Sequence, residues 1–127
     1  MRTNEEIEDL LIGTGLPFER LDDAMWVVVN DADRGENLVV YKTAALVAFR
    51  MKVFELPASP PPGLLRRLLE LNAASMVHGA YGVEGGSVVM VDALEAENLD
   101  ANELVAVIDS FGLALSAHRD ELAGFLA

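Results

Sequence analysis

The sequence contains no cysteine, which excludes disulfide bonds and thiolate metal sites. No stretch approaches the run of about 18 apolar residues that would predict a transmembrane helix. The first nine residues are acidic where a signal peptide requires a basic start followed by an apolar segment. These absences predict a chain that stays in the cytoplasm.

Basic residues are also scarce. Nine Lys and Arg residues stand against 21 Asp and Glu residues, which gives a net charge of −12. Such a field repels phosphate backbones and anionic lipids, so we expect neither nucleic acid nor a membrane surface as a partner. The acidity favours a basic polypeptide partner, although solubility alone would also explain it.

Aromatic residues make up only 6% of the chain, whereas hydrophobic residues make up 52%. We therefore expect a core built mainly of Leu, Val and Ala. A length of 127 residues suffices to bury such a core without disulfide bonds or a structural metal ion. No linker or repeat divides the sequence. Residues 1–127 are predicted to form a single domain.

Hydrophobic periodicity and turn residues predict the element order α-β-β-β-α-β-β-α. Capping-box patterns at Thr3/Glu6 and Asp100/Glu103 mark the starts of the first and last helices. The predicted strands are Met25–Asn30, Asn37–Lys42, Ala45–Leu56, Ala80–Val83 and Ser87–Asp92, with a loop over Leu16–Asp23. Tight turns between these strands favour an α+β fold with an antiparallel five-stranded sheet packed against helices.

The segment from Pro57 to Met76 separates the two groups of strands. Its prolines stop the preceding strand, because proline supplies no donor to a sheet ladder, and a helix then runs from Pro62 or Gly63 to about Met76. Leucines cover about half of the circumference of this helix, more than the stripe of ~100° that is typical of a surface helix. The excess predicts a two-fold homodimer interface, and a helix sunk deeply in its own core is the alternative.

The strands are apolar on both faces. Met25, Val27 and Val29 alternate with Trp26 and Val28, so neither face of this strand is polar. The third predicted strand places Phe49, Met51 and Val53 on one face. Since three helices are not expected to cover both faces of the sheet, one face is left for a protein partner.

No catalytic or metal-binding pattern is present. His78 and His118 are far apart in sequence and lack metal-ligand spacing, so partly buried structural histidines are expected. The acidic turn containing Asp31, Asp33 and Glu36 lacks the full spacing of a calcium loop. The serines lack the context of an activated nucleophile. We predict no enzyme, no cofactor and no metal; a small-molecule binder or enzyme that uses a histidine is the least favoured alternative.

The second half of the chain resembles two related families. The resemblance rests on Leu64-Leu65-x-x-Leu-Leu-x-Leu-Asn72, on Gly79-Ala80-Tyr81-Gly82-Val83, on Ser87-Val88-Val89-Met90 and on Leu99-Asp100-x-x-Glu103-Leu104. This ordered set, within residues 45–127, is similar to the YbjN family and to the type III secretion chaperones of the Tir-chaperone, CesT-like fold.

The resemblance implies a small, acidic, cytoplasmic homodimer without catalytic residues. In the chaperone branch, apolar grooves hold an extended segment of a client polypeptide; in the YbjN branch, a regulatory homodimer without such a client is implied. The dimer interface is then expected at Leu65, Leu68, Leu69, Asn72 and Met76. The client-binding residues are expected at Trp26, Val28, Val39, Tyr41 and Phe54.

Overall fold

The computed structural model describes residues 3–28 and 38–127. In chain order the elements are α1 (Asn4–Gly13), β1 (Phe18–Asp22), β2 (Met25–Val28), β3 (Leu38–Thr43), β4 (Leu46–Glu55), α2 (Leu64–Ala74), β5 (Ala80–Glu84), β6 (Ser87–Glu95) and α3 (Ala101–Leu126). The predicted acidic turn, together with Val29 and Asn30, lies outside the described residues.

The described strands form one antiparallel sheet in the order β1-β2-β3-β4-β6-β5. Strands β4 and β5 both pair with β6, so they run parallel to each other and need a crossover connection, which α2 provides. The predicted α+β architecture with an antiparallel sheet is confirmed, but the described part of the sheet has six strands rather than five.

The additional strand is β1, within the segment predicted as a loop at Leu16–Asp23. It lies at the edge of the sheet, where Phe18 is half-buried and the following four residues are exposed. Such a strand buries no alternating face and therefore carries no period-two hydrophobic signal. The loop prediction was wrong for this reason.

All three helices pack on one face of the sheet, which we call the inner face. Their buried residues form a single cluster with the inner-facing strand residues Trp26, Val28, Leu38, Val40, Val47, Phe49, Met51, Tyr81, Val88 and Met90. The helices contribute Ile7, Leu11, Leu64, Leu68, Leu71, Leu104, Val107, Phe111, Ala114 and Leu122. The opposite, outer face carries no helix among the described residues.

Both predicted capping boxes are present. Thr3 and Glu6 exchange hydrogen bonds at the start of α1, and Asp100 and Glu103 do so at the start of α3. Helix α3 continues through Gly112 for 26 residues without interruption. Helix α2 instead begins after Gly63, whose φ of 84° belongs to the left-handed region that favours glycine.

A β-bulge in β4 changes which side chains face the core. The register between β4 and β6 shifts between Lys52 and Phe54, so Val53 is the extra residue. Phe54 therefore lies opposite Val88, which is fully buried, and packs against the core. Val53 also packs against the core that contains Phe49 and Met51, in agreement with the predicted face, and the bulge adds Phe54 to the same side.

Candidate protein-binding surfaces

The residues predicted to bind a client lie on two different faces. Trp26 and Val28 are 0% and 4% exposed and lie opposite the core residues Val40 and Leu38. Phe54 also lies on the inner side because of the bulge. Only Val39 and Tyr41 lie on the outer face, so the five residues do not form one surface.

Trp26 is held in the core by polar contacts from α1 and β1. Its indole Nε1–H donates a hydrogen bond of 3.0 Å to Glu8 Oε1. The guanidinium of Arg20 lies over the ring, 5.6 Å from its centroid, and is 3.5 Å from the Glu8 carboxylate. These contacts satisfy the one polar group of the indole and fix its orientation.

The outer face carries two rows that cross the sheet, and all of their members except Arg50 are uncharged. In the first row, consecutive cross-strand partners are Val27, Val39, Arg50, Val91 and Ala80. In the second they are Met25, Tyr41, Ala48 and Ala93. We call the half-buried or exposed residues Met25, Val27, Val39, Tyr41, Ala48 and Val91 the outer-sheet patch.

Two basic residues of β4 lie on the same face, Arg50 between Val39 and Val91 and Lys52 beside Val89. Arg50 forms an ion pair with Glu84 of β5, which crosses over the intervening strand β6. Lys52 forms one with Glu55, and this contact is the main reason that the pKa of Glu55 lies below its usual value. The part of the outer face next to β5 is therefore polar, whereas the part over β2 and β3 is apolar.

The predicted dimer residues on α2 also divide into buried and exposed ones. Leu68 is 4% exposed and faces the core, whereas Leu65 and Leu69 are 44% and 69% exposed. Asn72 uses its side-chain amide to bind the backbone of Tyr81, and Met76 is half-buried just beyond the helix. The surface available to a second copy is thus the stripe Leu65, Leu69 and Met76, which we call the α2 stripe.

An ion pair ties α2 to α3. The Arg67 guanidinium donates two hydrogen bonds to the Glu121 carboxylate. These hydrogen bonds lower the pKa of Glu121 and raise the pKa of Arg67. Both side chains are exposed to solvent, so the pair orients the two helices more than it stabilises the fold.

A groove of about 270 Å³ opens between the end of α2 and the middle of α3. It is lined by Ser75, Met76, Val77, Ser110, Leu113, Ala114, Ala117 and His118. Val77 and Leu113 are 85% and 71% exposed at its edges. The exposed Leu113 was missed from sequence, although it lies nine residues after the buried Leu104 and therefore on the opposite side of the helix.

His118 lines this groove and is 7% exposed. Its Nδ1 lies 2.8 Å from the hydroxyl of Tyr81, which is also buried. Burial raises the pKa of Tyr81 to about 12, so the hydroxyl keeps its proton. This hydrogen bond gives both buried groups a partner; when the imidazole proton is on Nε2, the Tyr81 hydroxyl is the donor and Nδ1 the acceptor.

Burial also lowers the pKa of His118, so the neutral imidazole is favoured in the folded chain. The nearby charges act in opposite directions, since Glu121 raises this pKa and Arg67 lowers it. The prediction of a partly buried structural histidine agrees with this environment.

Neither a metal cluster nor a membrane span occurs in the described part of the chain. Within residues 3–28 and 38–127, no three His, Asp or Glu side chains are placed to hold a metal ion. In the same ranges, none of the helices is long and apolar enough to span a bilayer.

Three solved structures with similar folds are complexes of two proteins. A chain of the heterodimeric ExoU-SpcU complex from the type III secretion system of Pseudomonas aeruginosa matches with a TM-score of 0.67 at 20% identity, covering 94% of this chain and 96% of that one. A chain of the ExsC-ExsE complex matches with a TM-score of 0.68 at 19% identity, covering 94% and 96%. A chain of the HopA1-SchA chaperone-effector complex matches with a TM-score of 0.64 at 15% identity, covering 94% and 95%.

The comparison with curated proteins found no match. A protein-family model, CesT_Tir_1, matches residues 1–127. The predicted resemblance to CesT-like secretion chaperones is confirmed by this match, whereas the resemblance to the YbjN family stays a prediction. Because the match extends over all 127 residues, the chain belongs to the CesT_Tir_1 family, and it has the type III secretion chaperone fold.

Proposed function

We propose that the chain is a non-catalytic cytoplasmic homodimer that holds an extended segment of a client polypeptide on its outer-sheet patch. The observation that carries this proposal is the group of apolar residues in the two rows on the outer face, which no described helix covers. Family membership supports a protein as the partner, and the similar structures include a chaperone-effector complex.

The geometry of the patch suits an extended segment. Its apolar residues lie in rows across β2, β3, β4 and β6, so a chain laid over them can place alternate side chains against the sheet. The only charged side chain between the patch residues of the described rows is Arg50, which is paired with Glu84, whereas the protein as a whole has a net charge of −12. A segment with apolar contact residues and basic outward-facing residues would match both features.

The experiment measures binding of peptides tiled along the proteins encoded next to this chain. Val39→Glu places a carboxylate in the first row, opposite Arg50, and we expect it to weaken binding at least ~10-fold, which corresponds to about 1.4 kcal/mol, because a client covering it would have to desolvate the charge. Val83→Glu is the matched control, since Val83 is an exposed valine of β5 outside the patch. Circular dichroism and thermal melting establish that both variants are folded.

Equal peptide affinity for Val39→Glu and the unaltered protein would remove the patch from the client site. A dimer that binds no peptide at all would instead favour the alternative of a regulatory homodimer without an extended client.

The homodimer part of the proposal is supported by the α2 stripe. Leu65 and Leu69 are large, exposed and apolar on a helix whose opposite side is already buried against the core. Sedimentation equilibrium of Leu69→Glu tests this part. We expect the unaltered chain to sediment at twice its mass of 13.7 kDa and the variant to sediment as a monomer.

A further inference from the structure

Glu19 of β1 extends the first row of the outer face to the edge of the sheet. It is the cross-strand partner of Val27, so it lies on the outer face, and it is exposed there. From Val27 the row continues through Val39 to Arg50 and then to Val91. Along the row, an acidic residue, two valines, a basic residue and a third valine therefore follow one another.

The two charged residues of this line are too far apart to pair with each other. Neighbouring strands lie about 4.7–4.9 Å apart, so the three steps from Glu19 to Arg50 amount to about 14 Å. Arg50 pairs instead with Glu84. A guanidinium has five N–H donors and a bidentate carboxylate uses two of them, so Arg50 keeps donors for a second acceptor.

The spacing of these residues matches that of an extended chain laid along the row. Alternate side chains of such a chain point to the same side, and residues i and i+4 lie about 13 Å apart. When residue i lies above Glu19, residue i+4 therefore comes close to Arg50, and residue i+2 lies above the valines between them. Residue i+6, about 20 Å from i, reaches Val91, which is about 19 Å from Glu19.

We propose that the client segment carries a basic, an apolar and an acidic residue at positions i, i+2 and i+4, which contact Glu19, the valines and Arg50. The inference rests on the proposed function, because it names the kind of segment that the outer-sheet patch selects. Complementary charges across an interface select partners and fix their register. A segment that runs in the opposite direction makes the same contacts with its acidic residue first.

This selection differs from attraction by net charge. A protein with a net charge of −12 attracts basic segments in general, and the most basic segment would then bind best. Arg50, by contrast, repels a basic residue at position i+4, and a charge that is desolvated without a partner costs affinity. A segment without net charge but with the correct order of charges should therefore bind more tightly than a basic one.

The experiment uses three synthetic peptides whose ends are acetylated and amidated. The KE peptide is Ser-Lys-Ser-Leu-Ser-Glu-Ser-Leu-Ser, and the KK and EE peptides carry lysine or glutamate at both charged positions. Affinities are measured by fluorescence anisotropy at an ionic strength of about 0.15 M, which screens long-range attraction. We expect the unaltered protein to bind the KE peptide at least ~5-fold more tightly than either of the others.

Charge reversals in the protein should reverse this preference. With Arg50→Glu the KK peptide should bind more tightly than the KE peptide, and with Glu19→Lys the EE peptide should do so. Arg119→Glu and Asp120→Lys are the matched controls, since they make the same changes in charge at exposed positions of α3. Both controls should keep the preference for the KE peptide.

Glu84→Gln provides a measurement that a loss of folding cannot imitate. The substitution removes the carboxylate that competes for Arg50, at a side chain that is 62% exposed, and binding of the KE peptide should become ~2–5-fold tighter. Because this peptide has no net charge, a change in the protein's net charge does not explain a gain. Glu97→Gln, at an exposed position beyond β6, is the control and should leave the affinity unchanged.

The outcomes separate this inference from the proposed function. Tighter binding of the KK than of the KE peptide by the unaltered protein would show that net charge selects the client, and the inference would fail. An unchanged preference in folded Arg50→Glu and Glu19→Lys would also overturn it; if Arg50→Glu does not fold, Glu84→Gln decides. If only the tiled client peptides bind, and Val39→Glu weakens that binding, the proposed function stands without this inference. If neither set of peptides binds, both fail.

Discussion

The side-chain amide of Asn72 forms two hydrogen bonds with the backbone of Tyr81. The Tyr81 N–H donates to Asn72 Oδ1 at 2.7 Å, and Asn72 Nδ2 donates to the Tyr81 carbonyl at 3.1 Å. Tyr81 lies in the edge strand β5, so the amide takes the place that a neighbouring strand would occupy. The last turn of α2 is thereby attached to the sheet.

Replacing this amide should destabilise the monomer. Asn72→Ala removes both hydrogen bonds at a partly buried site, and we expect a loss of about 1–3 kcal/mol in the free energy of unfolding. Urea unfolding measures the loss. Asn102→Ala, at an exposed position of α3, is the control and should change stability by less than about 0.5 kcal/mol. Equal effects of the two substitutions would mean that the amide does not attach α2 to the sheet.

The contact between Glu8 and Trp26 leads to a second prediction. Glu8→Ala leaves the indole N–H of a fully buried ring without its acceptor, which should cost about 1–3 kcal/mol. Glu8→Gln keeps an acceptor oxygen and should cost less than half as much. Because Trp26 is the only tryptophan of the chain, its fluorescence follows unfolding directly. A Glu8→Gln variant as unstable as Glu8→Ala would contradict the hydrogen-bond explanation.

Burial of Trp26 also changes how the client site has to be tested. Removing this side chain should cost about 3–5 kcal/mol, as for other large aromatic core residues, and would impair binding by unfolding the chain. Val39 and Tyr41 are therefore the predicted residues at which substitution can separate binding from folding. The different roles follow from register, because Trp26 pairs with the core residue Val40 and Val39 pairs with Val27 on the outer face.

The sequence predicts most of the element order but not the orientation of each face. The helix starts at Thr3 and Asp100 can be predicted because a capping box involves only four consecutive residues. It can therefore be recognised without knowledge of the tertiary structure. Strand β2 is apolar on both faces, so alternation alone cannot say whether Trp26 or Val27 faces the helices. The bulge at Val53 is set by pairing with β6, which lies far along the chain, and left no local signal.

For the predicted dimer residues, too, the sequence does not show which side chains are buried. The spacing of Leu65, Leu68 and Leu69 places all three on one broad apolar arc, yet the core takes Leu68 and leaves the other two exposed. Asn72 was grouped with them by position, whereas its partner is the backbone of Tyr81. Which part of an arc is buried depends on where the crossover from β4 to β5 places the helix, and this placement is a tertiary property.

Gly79 provides a third prediction because α3 lies so close to it. Its φ is +84°, and a Cβ atom there would lie 2.6 Å from Cε1 of the buried Phe111 and 3.1 Å from the Val91 carbonyl oxygen. Gly79→Ala therefore combines backbone strain with overpacking, and we expect a loss of about 2–5 kcal/mol.

Gly15→Ala separates the two contributions. Gly15 has a φ of +76°, but a Cβ atom added there would have no neighbour within 4 Å, so only the backbone strain of about 1–2 kcal/mol should appear. Thermal or urea unfolding of both variants gives the comparison. If the two glycines tolerate alanine equally well, the close approach of Phe111 does not constrain the turn before β5.

The pair formed by His118 and Tyr81 makes stability depend on pH. Burial lowers the pKa of His118 below its ordinary value of 6.5 in the folded chain, so between these two pKa values the unfolded chain binds more protons. The contribution of the neutral His118 to stability is therefore fully present above about pH 6.5, and it is lost as the pH falls through the lowered pKa of the folded chain. The carboxyl groups of Glu55 and Glu121, whose pKa values lie below 4.5, titrate at lower pH and do not account for a change in this window.

The measurement is urea unfolding from about pH 7.5 to about pH 5 at one fixed protein concentration, because dimerisation would make stability depend on concentration. We expect the unaltered chain to lose stability over this range and His118→Gln to show a smaller loss. Tyr81→Phe removes the hydroxyl that is hydrogen-bonded to Nδ1 and leaves that nitrogen without its buried partner, so it should be less stable at the upper end of this range, by about 1–3 kcal/mol. A pH dependence that is the same in His118→Gln and in the unaltered chain would show that another group titrates, since the substitution removes the only imidazole that contacts Tyr81 in the described part of the chain.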